Sequence, residues 1–181
     1  MRLFLDACIL FPTVLREILL GAAAQGGFVP LYSPRVLEEW ARAAARRGAA
    51  AEAVARAEIA LLRTDWAAGE VVPPAGAEDM LSLPDPGDLH VLAAAIAGGA
   101  EAIVTVNLRD FPGRTLARHG LMVRTPDSVL TELLAEGRVP VAEVVDAVRL
   151  RTEAVSGRAQ PLRPLLKRAG LPRLGKALDQ G

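Results

Sequence analysis

One stretch limits what this chain can fold into. It is Asp85-Pro86-Gly87-Asp88-Leu89-His90-Val91-Leu92-Ala93-Ala94-Ala95-Ile96, followed beyond Gly98-Gly99 by Ala102-Ile103-Val104-Thr105-Val106-Asn107-Leu108-Arg109-Asp110-Phe111. The first segment begins as helices begin. Asp85 is a capping residue, Pro86 suits the first helical position, and Asp88 falls in the first turn, where a negative charge meets the helix dipole. Val91, Leu92 and Ala95 follow Asp88 by three, four and seven positions, so the acid tops the stripe that faces the core. The second segment is a β-branched run ending in polar residues, the pattern of a buried strand. Helix, turn, strand and acid in that order place carboxylates at the mouth of a parallel sheet.

The rest of the chain alternates in the same way. Residues 2–5 form an apolar run ended by Asp6, a first strand with an acid at its carboxyl end. The spacing predicts a helix over 12–24, a strand over 28–32 that Pro30 opposes, and a helix capped by Ser33 with Pro34 at its first position. A helix over 50–65, a third strand over 70–73 and a loop over 74–84 precede the central unit. A strand over 120–124 and a helix opened by Thr125-Pro126 and ended at Gly137 follow it. Strands alternating with helices give an α/β fold with a parallel sheet covered on both faces. After residue 124 only helical spacing remains, over 141–155 and in short pieces within 161–178. The expected division is a domain over 1–135 and a helical extension over 136–181.

Composition narrows the classes of function. At 181 residues the chain suits one domain with an appendage, and a domain of that size needs no disulfide staple. A single cysteine, Cys8, fits a reducing compartment. Asp6 interrupts the first apolar run, so no signal peptide is expected, and no run approaches the ~18 residues of a membrane span. A cytoplasmic protein is expected. Net charge is zero, yet residues 1–137 hold 12 Lys and Arg against 17 Asp and Glu, while residues 138–181 hold 9 against 4. An acidic body suits gathered cations, and a basic tail suits phosphate or an acidic partner.

In a parallel α/β sheet, ligands collect beyond the carboxyl ends of the strands, where strand order reverses. Asp6 and Asp110 follow strands, and Asp88 and one of Glu38 or Glu39 lie near helix beginnings. Ionised together, such carboxylates repel unless they share protons or a cation. An all-oxygen set favours Mg²⁺ or Mn²⁺, and Cys8, His90 and His119 lack the spacing of a zinc site. A cation so held activates water for phosphoryl displacement.

These residues resemble the PIN domains, among them the VapC-type toxin ribonucleases. The matching features are Leu5-Asp6, Ser33-Pro34-Arg35-Val36-Leu37-Glu38-Glu39-Trp40, Asp88 at the head of an alanine-rich helix, and Thr105-Val106-Asn107-Leu108-Arg109-Asp110-Phe111. They span residues 1–125. The resemblance implies a three-layer α/β/α sandwich and metal-dependent cleavage of single-stranded RNA. Asp6, Glu39, Asp88 and Asp110 would then hold Mg²⁺ or Mn²⁺, with Thr105 and Asn107 orienting carboxylates or phosphate. Glu38 competes with Glu39, and Asp85 is a supporting acid or a cap. Arg35 and Arg109 are candidates for phosphate contacts. An antitoxin partner and a homodimer are also implied. The alternative is a non-catalytic PIN-like module that binds RNA or protein. Cys8 reads as a small buried hydrophobe, His90 as packing or solvent-facing, and Trp40 and Trp66 as core or interface.

Overall fold

Leu3, Phe4 and Leu5 are all fully buried. Three successive buried side chains require cover on both faces, the condition of an inner strand of a parallel sheet. A computed structural model, describing residues 1–179, places them in β1 (Arg2–Leu5). β2 (Val29–Leu31), β3 (Ala102–Val104) and β4 (Met122–Arg124) complete a four-stranded, all-parallel sheet in the order β2-β1-β3-β4. β3 is buried throughout and β1 at every position but Arg2, whereas Val29 and Met122 on the outer strands are exposed. Pro30 sits in β2, an outer strand, where a missing N–H costs no inner ladder bond.

The helices are α1 (Ala7–Leu10), α2 (Thr13–Ala24), α3 (Pro34–Ala45), α4 (Ala49–Asp65), α5 (Leu89–Ala97), α6 (Gly113–Ala117), α7 (Pro126–Glu136), α8 (Val141–Ser156), α9 (Leu162–Arg168) and α10 (Pro172–Leu178). They belong to two compact units. Met1–Phe11 with Val29–Arg124 carries the sheet with α1, α3, α4, α5 and α6. Pro12–Phe28 with the described residues from Thr125 onward carries α2 and α7 to α10, so α7 clusters with the helices that follow it. Among the described residues, no helix is long and apolar enough to cross a membrane.

Two helix starts follow from their capping residues. Ser33 Oγ accepts from Val36 N at 3.3 Å and Thr125 Oγ1 from Ser128 N at 3.1 Å, each with proline next in sequence. α10 lacks such a residue, because Leu171 stands at its cap. The buried Asp127 carboxylate supplies the acceptors instead, taking Arg173 N at 3.0 Å and Leu174 N at 2.9 Å.

The strand expected over 70–73 does not form. It contributes one parallel bridge, Tyr32 to Glu70, in which Val71 N donates to Tyr32 O at 2.8 Å. Pro73 and Pro74 follow and have no N–H to extend a ladder. The approach needs glycine at 69, where a Cβ would lie 2.3 Å from Pro30 O. α1 and α6 were not expected. α1 is a single turn directly after Asp6, too short for periodicity to register.

Candidate active site

Sheet order sets where the site lies. β2 pairs with one edge of β1 and β3 with the other, so the connections diverge between β1 and β3. Leu5 is paired with Val104 at the ends of these strands. The next residues, Asp6 and Thr105, therefore emerge side by side, and Thr105 Oγ1 donates to Asp6 Oδ2 at 2.8 Å. Both are buried. Cys8 Sγ also donates to Asp6 Oδ2, at 3.0 Å, and lies 3.3 Å from Thr105 Oγ1. Cys8 is thus a half-buried donor rather than the buried hydrophobe expected. Burial and the Asp6 charge push its thiol up to about 12, so the proton stays on sulfur.

Asp85, Asp88 and Asp110 each bring one carboxylate oxygen within 4.8 Å of the others. Asp85 arrives through local turn chemistry. Its Oδ1 accepts from Gly87 N at 2.8 Å and caps a 3₁₀ turn, Pro86–Asp88, after which α5 begins. Asp110 arrives through the turn beyond β3, where Asn107 N donates to Thr105 Oγ1 at 3.0 Å. The Asn107 side-chain amide donates to Asp110 Oδ2. Thr105 and Asn107 thus link Asp6 and Asp110 through one loop.

Asp88 records the resulting field. Burial, then the charges of Asp6, Asp85 and Asp110, push its carboxyl up to about 6, with His90 acting in the opposite direction. Asp6 and Asp110 therefore both act on one group. Three clustered carboxylates, one of them resisting ionisation, are a donor set that a hard divalent cation fits, since it offsets the repulsion and matches oxygen ligands.

The glutamate doublet divides. Glu38 accepts from Arg42 Nε at 3.1 Å and Arg56 Nη1 at 3.3 Å, and these hydrogen bonds hold its carboxyl below the ordinary range. Glu39 Oε1 lies 2.8 Å from His90 Nε2 and 3.9 Å from Arg35 Nε. Arg35 also reaches Glu78 at 3.4 Å. Glu39 is not among the three clustered aspartates. Arg109 is exposed in the turn between Asn107 and Asp110. Trp40 is buried core. The contacts of Cys8 with Thr105 and of His90 with Glu39 leave no mark in the sequence, because each joins residues distant in the chain.

No curated protein and no solved structure matches the chain. The family model for the PIN domain matches residues 2–109, more than half of the chain and the whole of the stretch from β1 to the turn before Asp110. With its central parallel sheet flanked by helices and its acidic residues gathered beyond the strand ends, the chain belongs to the PIN domain family.

Proposed function

We propose that the protein is a Mg²⁺- or Mn²⁺-dependent endoribonuclease that cuts single-stranded RNA. The observation carrying this reading is the convergence of Asp85, Asp88 and Asp110 within 4.8 Å, in a chain of a family of nucleases. When bound, the divalent cation supplies an activated water and offsets charge on the phosphodiester during in-line displacement.

The chain's own residues do the rest. Asp88, Asp110 and Asp85 would offer oxygens to the cation, and the charge of Asp6 acts on Asp88. Thr105 and Cys8 fix Asp6 by donating to one of its oxygens. Asn107 orients Asp110. Glu39 is the glutamate of the site, supported by the engagement of Glu38 with Arg42 and Arg56. Arg35 and Arg109 contact substrate phosphates. The wider proposal is a toxin role, with a small antitoxin as partner and a homodimer as the working form.

The test is cleavage of end-labelled single-stranded RNA with Mn²⁺, with and without chelator, by wild-type protein and by Asp88→Asn and Asp110→Asn. Chelator and either substitution are expected to abolish cleavage. Equal cutting by all three proteins overturns the reading.

A further inference from the structure

The ring nitrogens of His90 lead further. His90 is 3% exposed in α5, two residues after Asp88, and neither nitrogen has a hydrogen-bond partner among the described residues. Buried donors and acceptors are almost always satisfied, and each exception needs a cause. Nε2 lies 2.8 Å from Glu39 Oε1, close enough for a hydrogen bond, but the ring N–H and the oxygen are out of line. Glu39 is the more exposed partner of the two. Its side chain is 38% exposed, whereas the ring is enclosed. At 2.8 Å, reorientation of the exposed carboxylate is the smaller change that would align the pair.

We propose that His90 is a positioning residue, its Nε2 edge holding the Glu39 carboxylate so that α3 can present it to the candidate metal site. This rests on the metal-dependent reading above. The ring is the rigid member because packing fixes it, and Glu39 needs such an anchor because its other contact, Arg35 at 3.9 Å, is itself exposed and shared with Glu78. Partners that hold a ligating carboxylate set its orientation as much as the ligand itself does. The anchor reaches Glu39 alone of the doublet, since Glu38 is held by Arg42 and Arg56.

Histidine admits a sharp test. Glutamine places an amide near Nε2, and asparagine places one near Nδ1. Calorimetry with Mn²⁺ is run on wild type, His90→Phe, His90→Gln, His90→Asn, Glu39→Gln and the double variant His90→Phe/Glu39→Gln, with thermal melting as the folding control. Mn²⁺ affinity is expected to weaken about 10- to 100-fold in His90→Phe, the range for a lost supporting partner. Glutamine restores it, asparagine does not, and the double variant binds as Glu39→Gln does. Equal loss in His90→Gln and His90→Phe, or losses that multiply in the double variant, overturns the proposal.

The ¹⁵N imidazole spectrum of metal-free protein gives an independent result. The Nε2 resonance is expected to move on Glu39→Gln and to stay in place on Glu38→Gln. No movement on Glu39→Gln overturns the proposal. Absence of Mn²⁺ binding or RNA cleavage by the wild type would remove the nuclease reading, and the spectrum would still decide the role of His90.

Discussion

Thr105 donates its hydroxyl to Asp6 Oδ2 across 2.8 Å, although 99 positions separate the two in sequence. The register of β1 against β3 makes this contact, because both residues follow paired strand ends. Thr105→Val keeps the shape and removes the donor, leaving Cys8 alone on that oxygen. Hydrogen bonds to charged groups contribute about 1.5–3 kcal/mol, and the remaining thiol donor places the expected loss at the lower end. Urea denaturation of the single variant checks it, and an unchanged midpoint contradicts the arrangement.

Asp88 makes stability depend on pH in an uncommon direction. Its folded pKa is raised from 3.8 to about 6, so the folded state binds a proton that the unfolded chain has already released in that interval. Its favourable contribution is present in full below about pH 4 and is lost as pH rises through about 6. Asp88→Asn is therefore expected to stabilise metal-free protein at pH 7, by about 1 kcal/mol after solvent screening, and to have no effect near pH 4. Melting curves at the two pH values measure the difference. Mn²⁺ affinity of the wild type should rise through the same interval, because the ligating form is the carboxylate.

The Cys8 thiol, pushed up to about 12, should react slowly. Iodoacetamide consumes thiolate, so folded protein at pH 8 is expected to resist alkylation while urea-unfolded protein reacts as an ordinary cysteine does. Mass spectrometry at timed intervals reads the result, and rapid labelling of folded protein would place the thiol outside the reach of Asp6.

Glu38 and Glu39 should separate in function. Glu38→Gln breaks contacts to Arg42 and Arg56 at the surface and is expected to leave RNA cleavage within about twofold, since exposed ion pairs contribute little. Glu39→Gln is expected to lower it by about 10-fold or more. Comparable rates in the two variants would remove Glu39 from the proposed site.

Where the chemistry was local, the sequence announced it. Ser33 and Thr125 cap the helices that their prolines open, and the apolar run ending at Asp6 is an inner strand. The strand expected over 70–73 shrank to one bridge on the free edge beside Tyr32, because Pro73 and Pro74 bring no N–H to extend a ladder. Asp85 looked like a cap and is one, yet the same carboxylate also faces Asp88 and Asp110. The relation to Asp110 is tertiary and leaves no mark on local spacing. The contacts of His90 with Glu39 and of Cys8 with Thr105 were hidden for the same reason.

The carboxylate of Asp127 grips the tail by its main chain, through the amides of residues 173 and 174. Such a latch is indifferent to side-chain identity, so the exposed position 173 can drift widely through evolution while the attachment persists. Proline is the exception, since it brings no amide hydrogen to either place.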